Sequence, residues 1–196
     1  MSEQEVFIIS ERALADVIDQ IGDQQWEQVR PAWFQTGAQG EATLREIVNY
    51  HAYDSAWVPD VLARKTMTEV GDRYEALKTA PTVNYREHSE RAIAAAAALD
   101  DPDAIVHLSY GDFPAREYLK HVTSFRGFRA YDIALWIGAD TTLPDGLVQG
   151  MWNLFVPEIE DWRAMGVFGP AIPVPDDAPL QDRLLGLAGR DPYARV

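Results

Sequence analysis

Apolar residues recur mostly three and four positions apart at Leu14, Val17, Ile18, Ile21 and Trp26, which predicts a helix over residues 11–29. Ser10 would cap it and Pro31 would stop it. After a glycine-containing loop at 37–41, a second helical pattern starts at Thr43 and runs through Leu44, Ile47, Val48, Tyr50, His51, Asp54 and Trp57. Pro59 is expected to bend it before it resumes to Arg64. The polar stretch 71–81 reads as a loop with room for a short helix. Asn84 then caps an alanine-rich helix that ends at Leu99, before the acidic cluster around Pro102.

Residues 104–110 have strand character but no evident hairpin partner, so an extended connector is expected there. A helix should follow from Pro114 to Ile137, stopped by Gly138. Asp145 can cap another, bent at Pro157 and ended at Gly166 near Met165. Residues 167–177 hold three prolines and no periodicity, and a short last helix is expected over 180–187. Long amphipathic helices with little strand predict an all-α fold, a helical bundle over 1–166 with the tail 167–196 packed on the same domain. A ligand site in such a fold usually lies between facing helices.

The chain has 196 residues, 47% of them hydrophobic and 24% charged, which suits one domain able to bury a core without staples. It contains no cysteine, which excludes a protein thiol nucleophile, a disulfide framework and a zinc finger, and fits a reducing cytoplasm. Thirty-one acidic residues against 17 basic ones give a net charge of −14, so nucleic acid and anionic membranes are poor partners. The apolar run 92–99 is far shorter than the ~20 residues of a membrane span, and Glu3 and Glu5 argue against a secretory signal. There is no glycine-rich phosphate loop and no serine–histidine–acid pattern, which disfavours nucleotide binding and nucleophilic hydrolysis.

Three segments resemble the DinB-like four-helix-bundle family that includes mycothiol-dependent maleylpyruvate isomerase. They are Thr43-Leu44-Arg45-Glu46-Ile47-Val48-Asn49 with Trp57-Val58-Pro59-Asp60-Val61-Leu62; Arg129-Ala130-Tyr131-Asp132-Ile133-Ala134 with Gly138; and the tail from Val167 to Pro175 with Gly189-Arg190-Asp191-Pro192. The resemblance implies a divalent metal, zinc or nickel, held by a histidine on the second helix and by two ligands four residues apart on a later helix. In the isomerase the metal assists a small-molecule thiol that adds to an activated double bond. Those ligand positions fall on Tyr50, Phe125 and Arg129 here, and neither phenylalanine nor a permanently charged guanidinium can bind a dication. No metal is therefore expected, and the ligand-binding set becomes Tyr50, His51, Asp54, Phe125, Arg126 and Arg129.

Arg126 and Arg129 lie three apart on the helix expected to face Tyr50, Tyr53 and Asp54. Two readings follow. Arg129 forms an internal ion pair with Asp54 or another carboxylate, or one of the arginines receives the carboxylate or phosphate of a small anionic ligand. Asp132 fits the family pattern but is equally explained as a buried hydrogen-bond acceptor. Trp57, Trp136, Trp152 and Trp162 occupy packing positions, and His88 and His107 read as surface or structural residues.

The first functional expectation is a cytoplasmic, metal-free, small-molecule-binding bundle. The alternative is a metal-dependent thiol transferase or isomerase using His51, Asp54 and His121. A purely structural protein that offers a homodimer face is a third.

Overall fold

A computed structural model describes residues 1–34 and 41–194, so the loop expected at 37–41 lies, apart from Glu41, outside the described residues. The fold is all-α with one small hairpin. Its helices are α1 (Glu3–Ile18), α2 (Leu44–Leu62), α3 (Met67–Val70), α4 (Tyr85–Ala97), α5 (Ala115–Ile137), α6 (Asp145–Phe155), α7 (Ile159–Ala164) and α8 (Leu180–Leu187). Strands β1 (Ile105–Leu108) and β2 (Gly111–Pro114) stand between α4 and α5. No described helix is long and apolar enough to cross a membrane.

The helix starts are local chemistry. Helix α2 starts at Thr43 as expected, where Thr43 and Glu46 form a reciprocal capping box, and Asn84 caps α4 as expected. The first helix differs from its expected span. Ser2 and Glu5 form another capping box, so α1 begins eight residues before the expected start at Glu11, while Ser10 is buried inside it and donates to the Phe7 carbonyl. Its last residue is Ile18. Ile21 stays buried in the turns that follow, which is why the apolar rhythm outlasts the helix.

Pro59 sits within α2, which nevertheless continues to Leu62. Pro157 does more: Val156–Glu158 forms a tight 3₁₀ turn that divides the expected single helix into α6 and α7. Asp145 is the first residue of α6 rather than its cap. The strand partner missing from the sequence reading is the segment immediately after the turn. Ile105 pairs with Pro114 and Leu108 with Gly111, joined through Ser109 and Tyr110, and Gly111 adopts a φ of 137° that favours glycine. Gly138 ends α5 in the left-handed conformation, as expected.

Helix α1 packs against α5, α4 and α6, whereas α2 packs chiefly against α4 and the 3₁₀ turn Glu75–Thr79. The tail turns back over the bundle. A Cβ at Gly186 would lie 2.7 Å from the Ile172 carbonyl oxygen, so the close approach of the tail requires glycine there.

Two apolar clusters make up the core among the described residues. One holds Leu14, Ala52, Tyr85 and Phe128; the other holds Phe7, Ala56, Ala92 and Leu119. Between them each of four helices contributes polar side chains: Glu11 from α1, His51 and Ser55 from α2, Ser89 from α4 and Arg126 from α5.

Candidate functional site

This polar layer is built around one buried carboxylate. Glu11 has no exposed surface and accepts from Arg126 Nε at 2.9 Å, Ser55 Oγ at 3.0 Å and the Tyr85 hydroxyl at 2.7 Å. Three donors from three other helices satisfy an anion that would otherwise be expelled from the core. Arg126 is equally committed. It is 1% exposed, and its Nη1 donates to His51 Nδ1 at 2.8 Å. Burial alone would lower its pKa, but Glu11, Tyr85 and Asp54 outweigh that and raise it.

His51 must be neutral at the nitrogen that accepts from Arg126. Burial, then the charges of Arg126 and Arg129, push its pKa well below the ordinary value. Because the unfolded imidazole binds a proton that the folded one refuses, stability is complete above about pH 6.5 and is lost as pH falls below it, by about 1.4 kcal/mol per pH unit. Over the interval from pH 6.5 to 5 we expect a loss of up to about 2 kcal/mol that is absent in His51→Asn, whose amide oxygen still accepts from Arg126. Half-buried His88 and His121 are lowered too, and they cancel in this comparison. Parallel urea-unfolding curves for the two proteins across that range would show that His51 is not held neutral.

Above the layer, between α2 and α5, lies a cavity of about 240 Å³. Tyr53, Asp54 and Trp57 come from α2, Tyr118, His121, Phe125 and Arg126 from α5, and Leu108 to Tyr110 from the hairpin turn. The hairpin is held to this rim by a hydrogen bond of 3.2 Å between the Tyr110 hydroxyl and His121 Nδ1 and by a Phe113–His121 ring contact at 5.2 Å. The Asp54 side chain is 52% exposed and opens into the cavity. Its nearest charge is Arg126 Nη1 at 3.9 Å, beyond hydrogen-bond distance. Partial burial against the cavity walls raises its pKa, with Arg126 pulling the other way.

The residues expected to bind a ligand are divided among three environments. Asp54, Phe125 and Arg126 line the cavity, and His51 lies behind it in the polar layer. Tyr50 is exposed on the outer face of α2, where the Lys78 ammonium stands 5.8 Å from its ring. Arg129 is farther along α5, where it bonds Asp132 at 3.3 Å and its guanidinium lies 4.2 Å over Phe34. Arg129 does form an internal ion pair, as the first of the two readings expects, but its carboxylate is Asp132; Arg126, one helical turn earlier, is the arginine that approaches Asp54.

Glu11, Tyr85, Tyr110 and Tyr118 were not singled out from the sequence. Glu11 had a detectable signal, a charged residue four positions after Phe7 and three before Leu14 on the apolar stripe of α1.

These residues do not fit the divalent metal that the resemblance implies. Because His51 Nδ1 accepts from Arg126, its ring proton sits on Nε2 and neither nitrogen is free to ligate, and no group of three His, Asp or Glu side chains among the described residues converges as a ligand set. No protein-family model, curated protein or solved structure matches the chain.

Proposed function

We propose that this chain is a DinB-like bundle protein that binds a small molecule in the cavity between α2 and α5, without a metal. The reading rests on one observation: a concave site with aromatic walls and a half-exposed carboxylate, set over a hydrogen-bonded polar floor. At about 240 Å³ the cavity falls below the ~300–1,000 Å³ of drug-sized ligand sites, which points to a small ligand. Arg126, one candidate anion receptor, has its donors turned to Glu11 and His51, so it contributes charge to the site from below. A cytoplasmic location is in keeping with a cysteine-free chain of net charge −14.

A panel of small amines, alcohols, carboxylates and thiols, screened by thermal unfolding, tests the proposal. A ligand at one hundred times its Kd should add about 2.7 kcal/mol of stability, a rise in Tm of roughly 5–10 °C for a chain of this size. Val122→Trp, which fills the cavity from α5, should abolish the rise. A silent panel, or equal stabilisation of wild type and variant, would refute the proposal.

A further inference from the structure

We infer that the α2–α5 cavity selects a small organic cation, an amine with a compact apolar body, through the Asp54 carboxylate and the surrounding aromatic rings. The inference rests on the small-molecule reading above and specifies its ligand class.

Three observations carry it. The first is charge. One cation, Arg126, faces two carboxylates, Glu11 at 2.9 Å and Asp54 at 3.9 Å, while the His51 nitrogen it bonds carries no proton. Glu11 is closer and fully enclosed, so it takes most of the guanidinium's field, and one negative charge is left over at Asp54, where the cluster meets the cavity. The other nearby cations are spoken for: Lys78 makes two bonds of 2.9 Å to Glu75, and Lys120 is paired with Glu117 and Glu158.

The second is the wall chemistry. Tyr53, Trp57, Tyr110, Tyr118 and Phe125 present ring surface around the carboxylate, and ring faces attract cations and offer nothing to an anion. The chain already uses that attraction at this edge, since the Lys78 ammonium lies 4.1 Å from the Tyr53 ring centroid on the outside of the site.

The third is donor supply. An anionic ligand is best held by a free cationic donor, and Arg126, the cationic side chain in the lining, directs its Nε and Nη1 donors to Glu11 and His51; the buried Trp57 indole N–H, which has no hydrogen-bond partner among the described residues, carries no charge. Asp54, by contrast, has its oxygens open for an ammonium to donate to.

The test uses three ligands of one shape and different charge: phenethylamine, 2-phenylethanol and phenylacetate. Calorimetric titration into the intact protein should rank them amine first and acid last. Asp54→Asn should weaken the amine at least about tenfold, since a charged hydrogen bond is replaced by a neutral one, and should leave the alcohol nearly unchanged. Phe125→Ala, which removes one ring from the wall and no charge, should weaken the amine more than the alcohol. Asp54 and Phe125 are each about half exposed, so both variants should keep the wild-type Tm.

Alcohol or acid binding as tightly as the amine, or amine binding indifferent to Asp54→Asn, would overturn the inference and leave the small-molecule reading standing. Failure of all three ligands alongside stabilisers elsewhere in the wider panel would do the same. A panel silent throughout would remove both.

Discussion

Replacing Arg126 with methionine is expected to destabilise the protein by about 3–5 kcal/mol, a large part of the total stability of a single domain. The cost does not come mainly from the contacts that disappear. It comes from Glu11, which stays fully enclosed, keeps the Ser55 and Tyr85 hydroxyls, and loses its counter-cation, the Arg126 guanidinium at 2.9 Å. A buried carboxylate with two neutral donors and no counter-charge is far more expensive than the intact pair. His51 Nδ1 loses its donor in the same substitution. The paired change Glu11→Leu with Arg126→Met removes both charges and should recover most of the loss, because apolar replacement of a whole buried pair is often neutral or favourable. Denaturant unfolding of the two single variants and the double variant gives the coupling directly. A loss below about 1 kcal/mol for Arg126→Met, or a double variant as unstable as the sum of the singles, would mean that the layer is not a closed ion pair.

The polar layer also shapes the site above it. It places charge from α1 and α5 directly beneath a cavity that α2, α5 and the hairpin enclose, at spacings fixed by hydrogen bonds. Arg126 is held rigidly, so its field at Asp54 is a built-in property of the site and does not depend on a mobile side chain. Preorganised charge of this kind lets a ligand bind without first ordering its receptor.

What could be read from the sequence was local. The Thr43 start of α2, Asn84, the Pro114 start and Gly138 stop of α5 and the short helix at 180–187 are each decided by residues within a turn or two, and each lies where expected. The start of α1 is equally local, yet the apolar positions from Leu14 onward obscured the Ser2–Glu5 box. Long-range pairing was not legible. Glu11 and Arg126 are 115 residues apart, and no spacing rule connects them. The hairpin was hidden for another reason: residues 111–114 lack the alternating pattern that marks a strand, and register comes from the two-residue turn.

For the site, Asp54 and Arg126 follow from helical faces and Phe125 from the resemblance, while Trp57, read as packing, also forms cavity wall. Tyr110 reaches the cavity only because the hairpin folds back over α5, which depends on tertiary closure. Arg129 shows how sensitive the face argument is. Three residues beyond Arg126 on the same helix, it serves a different carboxylate.

That carboxylate, Asp132, gives the second large effect. It is almost fully buried and accepts Nε and Nη2 of Arg190 at 2.9 Å each, together with Nη1 of Arg129 at 3.3 Å. Arg190 follows α8, so this fork is a tie between the C-terminal tail and α5, and its guanidinium also lies 4.5 Å over the Phe128 ring. Asp132→Asn keeps the shape and removes the charge that both arginines share, leaving their like charges opposed in a poorly solvated place. Burial already lowers Arg129 to about 10 despite Asp132, so the carboxylate is needed to keep that guanidinium comfortable where it lies. We expect a loss of about 3–5 kcal/mol, concentrated in the tail. Hydrogen exchange should locate it: the amides of Ile172 and Arg190, which bond to Gly186 and Leu185, should exchange much faster, while those within α2 and α4 change little. Arg190→Met placed on Asp132→Asn removes one of the two opposed cations and should return part of the stability. Uniform acceleration across all helices, or no change in the tail, would show that Asp132 does not anchor residues 167–194.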